Sequence, residues 1–76
     1  MYLSEALGLS RDEAQSAAEK YPPFRSAHEG YAVLLEEIDE LWDEVKKNPK
    51  NRDAVKMQEE AVQVAAMALR FLTDLF

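Results

Sequence analysis

Two short stretches hold the residues with the clearest capacity for chemistry. "EEIDE" brings Glu36, Glu37 and Glu40 together, and "EAVQ", further along the chain, puts Glu60 and Gln63 at the same i, i+3 spacing. On a helix, side chains three apart are neighbours, so the carboxylates of Glu37 and Glu40 repel each other unless a cation sits between them. Two antiparallel helices with such pairs on facing edges would assemble four oxygen donors, Glu37 and Glu40 from one and Glu60 and Gln63 from the other. Hard oxygen donors suit Mg²⁺ or Mn²⁺, and magnesium characteristically keeps several waters and completes its shell with substrate phosphate. Glutamates at this spacing are also common on helix faces that simply meet water. The elements that carry them have to decide.

Those elements read as helices. Only two glycines and three prolines punctuate the chain, and strand signals are weak. The N-terminal segment, residues 1–25, shows a capping box at Ser10 and Glu13 that opens a helix ending before Tyr21-Pro22-Pro23. A shorter helical turn finishing near Gly8 precedes it. A second helix is predicted over residues 26–47, capped by Ser26 and Glu29 and closed by the basic pair Lys46-Lys47. "NPKN" makes the turn, and a third helix spans 52–76 with Asp53 placing negative charge in its first turn. The whole chain, 1–76, is a single domain.

Projection at about 100° per residue puts Tyr31, Leu34, Leu35, Ile38, Leu41, Trp42 and Val45 on one arc of the second helix. Glu37 falls at the margin of that arc, Glu44 and Glu40 next around, and Glu36 further out. In the third helix Met57, Ala61, Val64, Ala65, Ala68, Phe71, Leu72 and Leu75 make a broad apolar face with Glu60 at its margin. Gln63, Lys56, Arg70 and Asp74 flank it. Val62, Ala66 and Leu69 make the opposite side apolar too, the pattern of a helix buried on more than one face. The fold expected is all-α, with antiparallel helices completing a four-helix-bundle core through a homodimer or tetramer.

Composition narrows the chemistry. A chain of 76 residues buries only roughly 60% of its unfolded surface, which again favours association. With no cysteine and one histidine, a thiolate nucleophile or a zinc site is not expected. A net charge of −6 provides no electrostatic footprint for nucleic acid and disfavours anionic membranes. No apolar run approaches the ~20 residues of a membrane span. The start, "MYLSEALGLS", lacks a basic signal-peptide region, so the cytoplasm is the expected location.

The pattern Glu36-Glu37-x-x-Glu40 followed by Glu60-x-x-Gln63 resembles the E-E-x-x-E … E-x-x-D signature of the MazG-like all-α nucleoside triphosphate pyrophosphohydrolases. The wider phrases "HEGYAVLLEEIDELWDEV" and "EEAVQVAAMALRFL" look like the small stand-alone members of that family, and the resemblance covers roughly residues 24–76. It implies Mg²⁺-dependent hydrolysis of a (deoxy)nucleoside triphosphate between the α and β phosphates, releasing monophosphate and pyrophosphate. Glu37, Glu40 and Glu60 would be metal ligands, with Glu36 a further ligand or the catalytic group that orients water. Gln63 stands where the family has Asp, and its amide oxygen would coordinate neutrally.

Among other side chains, Lys56 and Arg70 are the candidates for contacting phosphate, although both read first as solvated charges, with Lys47, Lys50 and Arg52. Trp42 reads as core or dimer contact, with base stacking the functional alternative. His28 reads as a capping or surface residue, and Asp39, Asp43 and Glu44 as the solvated face. Two functions follow: a nucleoside triphosphate pyrophosphohydrolase, or a non-catalytic helical module that binds nucleotide or protein through a degenerate site. Gln63 favours the second, and the intact glutamates favour the first.

Overall fold

A computed structural model describes all residues from Met1 to Phe76. The chain forms α1 (Leu3–Lys20), α2 (Ala27–Val45) and α3 (Ala54–Leu75), with one 3₁₀ turn at Pro49–Asn51 and no strand. No helix is long and apolar enough to cross a membrane.

Ser26 caps α2 as expected, whereas α2 ends at Val45, before Lys46-Lys47, and α3 begins at Ala54 with Asp53 as its N-cap rather than inside its first turn. Ser26 is extended, and its hydroxyl accepts from the Glu29 backbone N–H at 3.1 Å. The Glu29 carboxylate reaches one residue past the cap, accepting from the backbone N–H of Arg25 at 3.2 Å and pairing with its guanidinium. Asp53 accepts from the N–H groups of Val55 and Lys56, satisfying two of the orphan donors of α3. Between the helices, Asn48 caps the 3₁₀ turn through Lys50, and Arg52 donates from Nε and Nη2 to the Val45 carbonyl. Arg52 is therefore a C-terminal cap of α2 rather than a free surface charge.

The N-terminal segment differs from expectation. It is one continuous helix from Leu3 to Lys20, with no break at Gly8 and no cap at Ser10. Ser10 lies inside the helix, where its hydroxyl donates to the Ala6 carbonyl one turn back at 2.8 Å. A helical glycine costs only about 1 kcal/mol relative to alanine, which packing of α1 on α3 offsets. The true start is at Tyr2, whose N–H donates to the Glu5 carboxylate. The end is as expected: Pro22 holds Tyr21 extended, at φ −127° and ψ 146°.

α3 is the central element. α2 runs antiparallel to it, with Arg52 at Val45 closing one end and Gly30 against Phe71 closing the other. α1 packs on α3 as well, but α1 and α2 do not pack on each other. This arrangement explains the two apolar sides of α3. α2 takes one, and α1 of the same chain covers Ala66 on the other, leaving that residue fully buried.

The buried core is small, comprising Ala17, Phe24, Ala66 and Met67, with Val33, Leu34, Phe71 and Leu75 packed around it. The 21–26 linker is fastened to α3 by Arg70, whose guanidinium lies 4.6 Å over the Phe24 ring and donates to the Pro22 carbonyl at 3.0 Å. Asp74 pairs with Arg70 and accepts from the Phe24 N–H at 3.1 Å. Arg70 is only 4% exposed, so the expectation of a solvated charge does not hold. It is an interior cation satisfied by a carboxylate, a carbonyl and an aromatic face.

On α2 the apolar arc divides. Leu34, Leu41 and Val45 are partly buried, while Tyr31, Leu35, Ile38 and Trp42 stand exposed in a stripe at i, i+4, i+7 and i+11.

Candidate metal centre

The helical hairpin brings Glu37 and Glu40 of α2 against Glu60 of α3. One carboxylate oxygen from each lies within 4.8 Å of the others. An octahedral magnesium with bonds of ~2.1 Å places its ligand atoms about 3 to 4.2 Å apart, so small rotamer adjustments would close the trio around a cation.

The three carboxylates sit in different surroundings. Glu40 is exposed, Glu37 half-buried and Glu60 only 8% exposed. Glu37 Oε2 is enclosed and has no hydrogen-bond partner. Burial is the largest influence on its carboxyl, followed by the neighbouring Glu40 carboxylate and the charges of Glu60 and Glu36, and together they raise its pKa to about 7. Glu60 pairs with Lys56 at 3.1 Å, and that hydrogen bond, with the charge of Glu60, holds the Lys56 ammonium above its ordinary range. An orphaned, enclosed oxygen among repelling carboxylates is the environment a hard cation relieves.

Glu36 is exposed on α2 and acts on Glu37 through its charge. Gln63, one turn along α3 from Glu60, is half-buried and faces the same cleft as Glu37. That cleft, about 500 Å³, opens between α1 and α2 with α3 as its floor. Phe24, Val33 and Met67 supply apolar wall, while Lys20, Arg70 and Gln63 and the carboxylates of Glu13, Glu29 and Glu37 supply polar groups. Arg70 lines it with a guanidinium already committed to the linker, leaving only Nε without a partner. Trp42 is 57% exposed on the outer stripe of α2 and does not line the cleft. His28 is exposed in the first turn of α2.

Glu44 departs from its expected place. It is 7% exposed rather than solvated, and both its oxygens accept from Lys47, at 3.0 and 2.9 Å. Its position one turn beyond Glu40 turns it toward the start of α3, where its charge reaches Lys56. The spacing of Glu37, Glu40 and Glu44 put the three on one helix face, since i, i+3 and i+7 align, but left the depth of burial open. The cleft wall from residues 13–24 was not foreseen, because nothing in the spacing of Lys20 or Tyr21 marks a site.

Compared with protein-family models, with curated proteins and with solved structures, the chain matches none.

Proposed function

We propose that this protein is a Mg²⁺-dependent nucleoside triphosphate pyrophosphohydrolase whose metal centre is Glu37, Glu40 and Glu60, with Mn²⁺ an alternative ion. The observation that carries the reading is the meeting of three carboxylates from two helices, one oxygen enclosed and unpartnered, at the edge of a 500 Å³ cleft. The resemblance of the Glu36-Glu37-x-x-Glu40 and Glu60-x-x-Gln63 pattern to the MazG-like family supports the reaction type.

A bound divalent ion would neutralise phosphate oxygens and polarise phosphorus. The side chains do the rest. Glu37, Glu40 and Glu60 hold the ion, and Gln63 offers a neutral amide oxygen from the cleft side. Glu36, exposed beside them, orients the water that attacks the α-phosphorus as the bond to the bridging oxygen breaks and pyrophosphate leaves. Lys56, paired with Glu60, supplies positive charge to the phosphates. The cleft takes the nucleoside. Arg70 shapes that cleft by fixing its linker, and Trp42 serves assembly.

The exposed stripe of Tyr31, Leu35, Ile38 and Trp42 supports a homodimer, in which two α2–α3 hairpins form a four-helix core. The second reading, a non-catalytic module with a degenerate site, rests on Gln63 and on the short chain of 76 residues. Pyrophosphate release from a panel of nucleoside triphosphates, with and without Mg²⁺, separates the two. Turnover by the native chain, abolished in Glu40→Gln while the melting temperature is equal or slightly higher, is the expected result. Gln63→Asp should tighten Mg²⁺ binding by adding a charged donor. Unaltered turnover in Glu40→Gln would remove the enzyme assignment of this site.

A further inference from the structure

Lys56 occupies an unusual place for a cation. It lies in the first turn of α3, three residues after the Asp53 cap, where the helix dipole disfavours positive charge. It is also N-terminal to its partner Glu60, the less favourable order for an i, i+4 pair. Helix physics gives no reason for a lysine here. The carboxylates do. Among the basic side chains, Lys56 alone forms an ion pair with any of Glu37, Glu40 and Glu60, through Nζ to Glu60 Oε1. Glu44 and Glu59 add to the negative field around it.

We infer that Lys56 is an exchangeable internal counter-ion of the carboxylate centre, holding Glu60 in the ion-free protein and giving way when a divalent cation binds. The inference rests on the metal-site reading and adds its regulation. Glu60 is nearly buried, so unpaired it would leave a charge stranded between α2 and α3. Lys56 is about half exposed and can swing out into water without repacking the helices. Exchange with a dication raises the local charge by one, whereas exchange with Na⁺ or K⁺ leaves it unchanged. The pair therefore sets a threshold that monovalent ions do not pass, and lowers apparent affinity for divalent ions by the strength of the Lys56–Glu60 contact.

Mn²⁺ titration of the full chain tests this, comparing the native protein with Lys56→Met, Lys56→Gln and Lys47→Met. Lys47 makes the matched control, because it pairs with a buried glutamate, Glu44, outside the trio. Both Lys56 variants should bind Mn²⁺ about fivefold more tightly, the strength of one good ion pair, and Lys47→Met less than twofold. The Lys56 variants should also melt lower than native without metal and show the larger Mn²⁺-induced rise. Unchanged or weaker Mn²⁺ binding in the Lys56 variants, or an equal gain in Lys47→Met, overturns the counter-ion role while leaving the metal site in place. Absence of Mn²⁺ binding in every variant overturns both.

Discussion

Glu37 carries the sharpest consequence at the scale of single residues. Its carboxyl titrates near 7 in the folded chain, against 4.5 for an ordinary glutamate. Between those values the folded state holds a proton that the unfolded state has released, so stability falls as pH rises through this window and levels off above about 7. Metal-free protein should therefore melt progressively lower from pH 5 to pH 7.5. Glu37→Gln should flatten that slope and melt above the native chain at pH 8, where the repulsion it removes is greatest. A native melting temperature that climbs across the window would refute this account of Glu37. The pairing of these glutamates was legible because i, i+3 spacing at the margin of an apolar arc is a property of one helix. The burial of Glu60 and Glu44, and the commitment of Arg70 to the linker, were not. Each depends on how closely a second element approaches, which a single helix does not encode.

At the scale of elements, the α2–α3 hairpin depends on Gly30. A Cβ there would lie 2.7 Å from Phe71 Cδ2 and 3.2 Å from Phe24 Cδ2, closer than packed carbons sit. Alanine would gain up to about 1 kcal/mol in helix propensity. Overpacking costs typically ~1–3 kcal/mol, and the Cβ would meet the buried Phe24 ring and the partly buried Phe71 ring together, so the clash decides the sign. Gly30→Ala should destabilise by about 1 kcal/mol, lowering the melting temperature by roughly 4–8 °C in a domain of this size. A higher melting temperature in the variant would show that Phe71 yields. Ser26 and Asp53 mark the starts of α2 and α3 in the sequence, because cap chemistry is local. Gly8 and Ser10 read as the same kind of punctuation and were not. Tertiary packing on α3 carries α1 through both residues.

For the whole molecule, the small core and the exposed stripe point the same way. Four buried apolar residues are little support for a chain this size, while Tyr31, Leu35, Ile38 and Trp42 remain in contact with water. If a second copy covers them, stability rises with protein concentration. Sedimentation at micromolar concentration should give a dimer or larger, and Ile38→Glu should give a monomer with a lower melting temperature. Trp42 is the only tryptophan, so its fluorescence should shift to the red on dilution as the stripe becomes wet. A folded monomer with concentration-independent melting would remove the assembly. The sequence revealed that α3 is apolar on two sides, but not that α1 would serve one of them, since periodicity identifies a sticky face without naming its neighbour.

α1 touches α3 and not α2, so the two walls of the cleft meet only through α3 and the 21–26 linker. The carboxylates belong wholly to the α2–α3 hairpin, while one jaw of the cleft is α1, hung on α3 and tethered by a six-residue strap between Lys20 and Ala27. Of the three carboxylates only Glu37 lines the cleft, so a change of residue in α1 or its strap alters the opposite wall of the cleft while leaving the chain positions that bring Glu40 and Glu60 together untouched.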